Sequence, residues 1–325
     1  MLKNIIFKNG YNTGNGGCIY VHGTSNFQLI NCRFQDSIAG TYGGAVELVS
    51  AHNTTICSCN FINNSAKLSS VPRGGAINWV SSTGGTIADC KFIKNSAEYG
   101  GAIRMEGVNG VCQYNNYFRD NSASNYGGDI MCDDNNADFH DCNFTNIYSN
   151  SYGGSIYWKG SNTLLYNLQF NNVTSKSYGG AITFANCKNV TVKSSSFKKY
   201  RSGSGGAIYF MAPECSVVEC EFEDGSATSG GAIYTTRDKI TVKDSKFKNH
   251  TATGHGGVIH ISGADAVVDN CEFTDSSSSS NGGIIFVSSS GPGSNISNSK
   301  FKSGHATCGG AIYVSARNVI ISGNE

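Results

Sequence analysis

The chain has 325 residues, of which 14% are charged, and its 24 lysine and arginine residues nearly balance its 23 aspartate and glutamate residues. This composition lacks the basic stripe typical of nucleic-acid binding and the acidic block of a charged tail. No apolar run is long enough to span a membrane, and the first ten residues lack the pattern of a signal peptide. The sequence therefore predicts no nucleic-acid partner and no membrane span within this chain.

A glycine pair followed by a residue that is usually small, and then by Ile or Val, recurs twelve times at spacings of 25 to 31 residues that are mostly 26. The second glycines are Gly17, Gly44, Gly75, Gly101, Gly128, Gly154, Gly180, Gly206, Gly231, Gly257, Gly283 and Gly310. Such a period indicates a solenoid, in which each repeat buries its apolar face only against its neighbours. We expect one continuous domain over residues 1–325.

Two short strands can be placed in each repeat. The first follows the glycines and carries the Ile or Val, with a second apolar residue two positions later, as in Ile77 and Trp79. The other is a stretch in which apolar residues stand at every second position, and it leads to a phenylalanine that recurs at the same place in nearly every repeat. This phenylalanine column comprises Phe34, Phe61, Phe92, Phe118, Phe144, Phe170, Phe197, Phe222, Phe247, Phe273 and Phe301. Alternation of this kind marks strands with one buried face.

Asn or Asp usually stands three residues before each phenylalanine, where we expect a turn with an unusual backbone angle. The glycine pair is expected to allow a positive φ or a close backbone approach at a sharp corner. Strands and turns of this spacing predict an all-β fold. It is a right-handed, single-stranded parallel β-helix of about 12 coils of about 26 residues, with three parallel sheets and almost no helix.

Gly-Gly-Ala-Ile stands at 74–77, 100–103, 179–182, 205–208, 230–233 and 309–312, and Phe-x-x-Asn at 61–64, 92–95 and 118–121. This pairing resembles the repeats of the polymorphic outer-membrane protein family and of adhesin-like β-helix proteins of microbial surfaces. The resemblance covers essentially the whole chain. It implies an extracellular or cell-surface β-helix used for attachment. Both ends cut across a repeat, so we expect a fragment of a longer protein.

Thirteen cysteines include six in one inward column, Cys32, Cys59, Cys90, Cys142, Cys220 and Cys271. No Cys-x-x-Cys pair exists, which disfavours zinc. Stacked cysteines on parallel strands could approach the distance for a disulfide but not comfortably its torsion. We favour buried free thiols over bridges, and we expect neither a metal nor a cofactor.

The coil that begins at Gly127 departs most from the repeat. Asp129 replaces the usual alanine, Asp133 and Asp134 follow the strand, and Asp138-Phe139-His140-Asp141 comes next. Clustered carboxylates are what a glycosidase or a calcium-dependent lyase needs, so Asp129, Asp133 and Asp134 are the candidate catalytic residues if the chain is an enzyme. Surface loops also collect acids readily, and Asp141 sits in the ordinary turn column.

An outward aromatic column follows the isoleucines of the last five coils, comprising Tyr209, Tyr234, His260, Phe286 and Tyr313. Stacked rings on neighbouring strands stabilise a sheet by themselves. They could also form a platform for a sugar or a partner protein. This column is the candidate ligand-binding surface.

These features favour a non-enzymatic, adhesin-like segment that acts as a stiff stalk or binding surface, with a glycan or protein of a host or neighbouring cell as its partner. The alternative is a polysaccharide lyase or glycoside hydrolase on the same scaffold, by analogy of fold alone. Such enzymes usually break their repeat with long loops. The insertions here are about five residues, around residues 67–73, which disfavours a deep site.

Overall fold

The computed structural model describes residues 1–288, 291 and 293–325. Within these residues the regular elements are β-strands, and no helix is found among them. The strands form three parallel sheets, here called sheets A, B and C. The chain divides into two compact units, Met1–Leu164 and Leu165–Glu325, which are described separately.

Sheet A contains the strands that lead to the Asn or Asp turn. In the first unit these are Leu2–Lys3, Gln28–Ile30, Thr54–Cys57, Gly85–Ala88, Cys112–Tyr114 and Asp138–His140. Thr163–Tyr166 spans the division between the units. The second unit contributes Val190–Lys193, Cys215–Val218, Thr241–Lys243, Val267–Asp269, Asn295–Ser297 and Ile320–Ser322.

Sheet B contains the strands of the phenylalanine column. In the first unit they are Ile6–Lys8, Tyr11–Asn12, Arg33–Gln35, Ile38–Ala39, Asn60–Ile62, Ser65–Ala66, Lys91–Ile93, Ser96–Tyr99, Tyr117–Arg119, Ser122–Tyr126 and Asn143–Ser149. In the second unit they are Gln169–Ser175, Ser196–Arg201, Glu221–Ala227, Lys246–Ala252, Glu272–Ser278 and Lys300–His305.

Sheet C contains the strands that follow the glycine pairs. In the first unit they are Ile19–His22, Val46–Val49, Ile77–Thr83, Ile103–Asn109, Ile130–Cys132 and Ile156–Trp158. In the second unit they are Ile182–Ala185, Ile208–Met211, Ile233–Thr235, Ile259–Ile261, Ile285–Val287 and Ile312–Val314. With six such strands in each unit, the chain makes about twelve coils. The expected parallel β-helix is therefore confirmed.

Equivalent residues of successive coils lie in files, because the strands pair in register. Ile77 pairs with Ile103, and Phe61 pairs with Phe92. Both files point inward, and their members are almost completely buried over most of the chain. The Phe61 and Phe92 rings stack with centroids 4.9 Å apart and an interplanar angle of 2°. Each such ring pair contributes on the order of 0.5 kcal/mol beyond its burial.

The two glycines of each pair meet different requirements. The first adopts a left-handed backbone, as at Gly74 with φ of 63°. The second sits against the next coil, so that a Cβ on Gly75 would overlap the carbonyl oxygen of Gly101. Only glycine satisfies both conditions without strain. The expected corner is confirmed. The first glycine supplies the positive φ, and the second allows the close approach of the neighbouring backbone.

The Asn or Asp before each phenylalanine also has a left-handed backbone, as expected, with φ of 51° at Asn31 and 53° at Asp141. A second left-handed file, which the sequence analysis did not anticipate, lies two residues after each phenylalanine and includes Asn63 with φ of 55°. Its side chains bond from coil to coil, since Asn63 Nδ2 donates to Asp36 Oδ1 at 2.7 Å. Asn and Asp tolerate this backbone better than other non-glycine residues.

Candidate functional site

The acidic coil does not form one cluster of exposed carboxylates. Asp129 is completely buried, and its Oδ1 accepts a hydrogen bond of 2.8 Å from Asn121 Nδ2. Burial raises the pKa of this carboxyl well above its ordinary value, although the bond from Asn121 opposes the shift. Burial therefore favours the protonated, uncharged form of Asp129 over the carboxylate.

Asp129 lies at the end of a buried asparagine ladder. Asn64 Nδ2 donates to Asn95 Oδ1 at 3.0 Å, and Asn95 Nδ2 donates to Asn121 Oδ1 at 3.1 Å. Each Asn side chain also satisfies backbone groups, since Asn95 Oδ1 accepts from the Asn64 N–H at 3.0 Å. The Phe-x-x-Asn motif thus builds a polar ladder inside an apolar coil.

Asp134 is also buried, and its two carboxylate oxygens accept from the backbone N–H groups of Gly110 at 2.7 Å and Val111 at 2.9 Å. Burial raises its pKa to about 6. Asp133 is half-buried and accepts from the Gly107 N–H at 2.6 Å, and burial raises its pKa as well. The catalytic role of Asp129, Asp133 and Asp134 stays a prediction. Asp129 and Asp134 are buried, and their carboxyl groups accept hydrogen bonds from groups inside the protein.

The aromatic column of the second unit is stacked as expected. Ring centroids of Tyr209 and Tyr234 are 5.2 Å apart, those of Tyr234 and His260 4.3 Å, and those of Phe286 and Tyr313 5.4 Å. Tyr209, His260 and Phe286 are each only 7% exposed, whereas Tyr234 and Tyr313 are half-buried. Ligand binding by this column stays a prediction, and Tyr234 and Tyr313 are its most accessible members.

A second file of rings packs on this face, one residue before the glycine pairs. In the first unit the Tyr126 ring stacks on Tyr157 at 4.8 Å, and in the second unit the Tyr178 ring lies 4.5 Å from Tyr209. These contacts bury part of the outward rings. The outward face of sheet C is therefore a second layer of packing rather than a flat exposed platform.

A concave surface, which we call the sheet B groove, runs over four coils of the second unit and has a volume of about 300 Å³. Its outward side chains include Lys198, Lys246, Lys248, Glu221, Glu223 and Glu272. Successive coils carry opposite charges. Oε2 of Glu223 lies 2.9 Å from Nζ of Lys198, and Oε1 of Glu223 lies 3.3 Å from Nζ of Lys248. Those two contacts lower the pKa of Glu223. A smaller concavity of about 160 Å³ lies beside it, lined by Lys246, Glu272 and Lys300 among others.

A buried polar row lies on sheet C of the first unit. Asn78 Nδ2 donates to Glu47 Oε1 at 3.0 Å, and Arg104 Nη1 donates to Asn78 Oδ1 at 3.3 Å. Arg104 also pairs with Glu106. Burial raises the pKa of Glu47 to about 7, and its Oε2 has no hydrogen-bond partner. This row was not predicted from the sequence, although Glu47, Asn78 and Arg104 stand at equivalent positions of consecutive repeats and were a visible signal.

Cys112, Asp138 and His140 are brought together on the outward face of sheet A. One potential metal-binding atom from each lies within 4.8 Å of the others. Burial and the charge of Asp138 raise the pKa of the Cys112 thiol, which makes it a poor nucleophile on its own. Asp138 and His140 stood out in the sequence as part of the acidic coil, whereas the participation of Cys112 was not predicted.

The structure contains no helix, within the described ranges, that is long and apolar enough to cross a membrane. A family profile, described as right handed beta helix region, matches residues 128–290, which is half of the chain. The chain belongs to this right-handed β-helix family. The family therefore confirms the expected hand, while the finer likeness to polymorphic outer-membrane proteins stays a prediction.

Two solved structures resemble this β-helix. The A-module of Azotobacter vinelandii mannuronan C-5 epimerase AlgE6 is 12% identical with a TM-score of 0.47, over 98% of this chain and 80% of that one. ORF18 of Geobacillus virus E2 is 13% identical with a TM-score of 0.33, over 98% of this chain and 54% of that one. Neither likeness bears on function. No curated protein matches the sequence.

Proposed function

We propose that this β-helix is a non-enzymatic, adhesin-like segment of a secreted or cell-surface protein, and that it binds an extended glycan along the sheet B groove. The observation that carries the proposal is the shape and chemistry of that groove. It is open, it follows equivalent positions on consecutive coils, and it encloses about 300 Å³. A polymer of similar units meets a similar set of side chains on each coil it crosses.

The charges of the groove favour a hydroxyl-rich ligand over a polyanion. Three lysines and three glutamates line it, so their formal charges cancel. Lysine ammonium groups donate hydrogen bonds and glutamate carboxylates accept them, and hydroxyl groups can do both. Because each contact at such an exposed site is weak, affinity would come from many contacts along the polymer.

Two observations support a binding role rather than catalysis. The carboxyls of Asp129 and Asp134 accept hydrogen bonds from inside the protein, and both side chains are buried. The insertion before Gly74 is short and carries Arg73, whose guanidinium stacks on Tyr42 at 5.5 Å from the ring centroid. No deep cleft is built from these residues.

A glycan array tests the proposal. We expect the wild-type chain to be retained on a subset of neutral or mixed glycans. Retention should fall at least tenfold for Lys246→Ala with Lys248→Ala. The charge-matched control is Lys67→Ala with Lys176→Ala, two exposed lysines outside the groove, and it should bind like the wild type. Wild-type chain that binds no glycan, or equal retention of both double variants, would contradict the proposal.

Tyr234→Ala is a second arm of that experiment, because the aromatic column is the other candidate surface. Tyr234 is half-buried and lies between Tyr209 and His260. Retention should be unchanged if the groove binds the ligand. Loss of retention in Tyr234→Ala alone, with an unaltered circular dichroism spectrum, would move the binding surface to sheet C.

A second candidate function, a polysaccharide lyase or glycoside hydrolase, is favoured by Glu47 alone. A carboxyl whose pKa is about 7 is suited to general acid or base catalysis. Glu47 is only 1% exposed, so substrate would reach it only if neighbouring side chains moved. Turnover of a polysaccharide panel that vanishes in Glu47→Gln but survives Asp133→Asn with Asp134→Asn would support this function. Absence of turnover by the wild-type chain would reject it.

A further inference from the structure

We propose that Cys112, Asp138 and His140 form a binding site for one zinc ion on the outward face of sheet A in the first unit. The proposal is independent of the glycan-binding role. It joins side chains from two consecutive coils that are far apart in sequence. Their three donor atoms, one sulfur, one oxygen and one nitrogen, all lie within 4.8 Å of one another.

The register of sheet A creates this group. Cys112 pairs with Asp138, and Tyr114 pairs with His140. Side chains two residues apart on a strand point to the same face, so Asp138 and His140 lie side by side. Cys112 lies one strand spacing away from Asp138 in the same file. Phe139 points to the other face and is completely buried, which fixes the orientation of its two neighbours.

The distances suit a small ion after modest side-chain rotation. The Nε2 atom of His140 lies 3.9 Å from Oδ2 of Asp138. Tetrahedral zinc with bonds of about 2.0–2.3 Å holds its ligand atoms roughly 3.3–3.8 Å apart. The ligand atoms therefore have to approach by at most about 1.5 Å. The Asp138 side chain is 55% exposed and can rotate towards the ion without disturbing the core.

A second, independent observation concerns the orientation of His140. Its Nδ1 lies 2.6 Å from Oδ2 of Asp141. An ionised carboxylate can only accept a hydrogen bond, so the tautomer protonated at Nδ1 suits this contact, and Nε2 is the nitrogen that would bind the metal. Asp141 itself is held in the left-handed turn with φ of 53°. The Tyr114 ring stacks on the imidazole with centroids 5.3 Å apart and an interplanar angle of 7°. A carboxylate that orients a metal-binding histidine is a recurrent feature of zinc sites.

The donor set selects the ion. Calcium and magnesium prefer oxygen ligands alone, whereas zinc takes sulfur, nitrogen and oxygen together. Three protein ligands leave the fourth tetrahedral position for water or an added ligand. The alternative is a simple ion pair of His140 with Asp138 and Asp141, which would not involve the Cys112 sulfur. The thiol therefore distinguishes the two explanations.

Cobalt(II) serves as the spectroscopic probe, in the full chain carrying Cys308→Ser to remove the exposed thiol. We expect one equivalent to bind under reducing conditions, with visible d–d bands and a near-ultraviolet thiolate-to-cobalt band, and zinc should displace it stoichiometrically. Cys112→Ser should abolish the thiolate band. Cys57→Ser is the matched control, because Cys57 is a half-buried thiol on the same face of sheet A, and it should leave the band unchanged.

Asp138→Asn and Asp141→Asn complete the test. Asp138→Asn alters an exposed side chain and should weaken zinc binding at least tenfold with the fold unchanged, even if His140→Gln fails to fold. Asp141→Asn should weaken binding by about 10-fold to 100-fold without changing the thiolate band. The proposal is overturned if calorimetry detects no stoichiometric zinc, if the thiolate band survives Cys112→Ser, or if Asp138→Asn binds zinc as tightly as the parent.

Discussion

The hydroxyl of Tyr200 and Nε2 of His250 form a hydrogen bond inside the second unit, although 50 residues separate them. Both side chains are almost completely buried. Gly225 lies between them in the same file, paired with Tyr200 on one side and His250 on the other. Tyr200 therefore reaches across a whole coil through the space that Gly225 leaves empty.

We predict that Gly225→Ala destabilises the protein by about 1–3 kcal/mol, because the added Cβ would overlap the Tyr200 ring. Urea denaturation followed by circular dichroism measures the change. The control is Gly14→Ala, where the nearest atom to the added Cβ is 3.5 Å away and the effect should stay within about 1 kcal/mol. Equal effects of the two substitutions would show that Tyr200 does not fill this space.

Asn95→Ala should lower the free energy of unfolding by about 2–4 kcal/mol. The substitution removes the acceptor for the buried N–H of Asn64 and interrupts the ladder to Asn121. Chemical denaturation measures the change. Asn63→Gly, at an exposed position with a left-handed backbone, keeps the local conformation and should cost less than about 1 kcal/mol. Similar costs would mean that the interior ladder contributes little.

His260→Phe should make the protein less sensitive to acid. Burial, with a smaller contribution from the charge of His255, lowers the pKa of His260 from 6.5 to about 3. Between these values the unfolded chain binds a proton that the folded chain does not, so wild-type stability falls as the pH drops below 6.5. Replacing the imidazole by the phenyl ring found at Phe286 removes this difference and keeps the stack.

Relative to wild type, His260→Phe should gain up to about 1.4 kcal/mol per pH unit below pH 6.5. Denaturation at pH 7 and pH 4.5 measures the gain, since all other titrating groups are common to both proteins. A constant stability difference at the two pH values would show that His260 is protonated in the folded state.

Thiol counting tests the state of the cysteines. None of the thirteen forms a disulfide, nine of them are buried, and only Cys308 is exposed. We predict thirteen reactive thiols in the unreduced, denatured protein. In the folded protein the exposed Cys308 should react first, the three half-buried thiols more slowly, and the nine buried thiols last. Cys308→Ser should remove the fast phase. A denatured count below thirteen would reveal a bridge and contradict the structure.

The interior files were predictable because they repeat. Ile77 and Phe61 each have an equivalent in nearly every coil, so aligning the glycine pairs was enough to place them in the core. The same alignment placed Asp129 in a column otherwise occupied by small or apolar residues, and Ala76 and Ala102 of that column are completely buried. Its burial could therefore have been inferred, although the carboxyl suggested a surface role.

Features that occur once were not predictable from the repeat. The bond from Tyr200 to His250 depends on the absence of a side chain at Gly225, and no column of the alignment marks it. To predict that Cys112 lies near His140, one needs the register between the two coils and the direction in which each strand face points. The repeat pattern predicts the features that all coils share, whereas a contact that occurs only once can be identified only from the three-dimensional structure.

The contact between the second glycine of one coil and the carbonyl of the next has a consequence for how such a gene can change. Removing residues 207–231 would bring Gly206 against Gly257, an equivalent glycine, and restore the same fit. A deletion that removed the glycine pair but kept the rest of the coil would set a side chain against that oxygen. The gain or loss of a whole repeat is therefore one change of length that leaves every glycine contact intact, and such changes are open to this architecture during evolution.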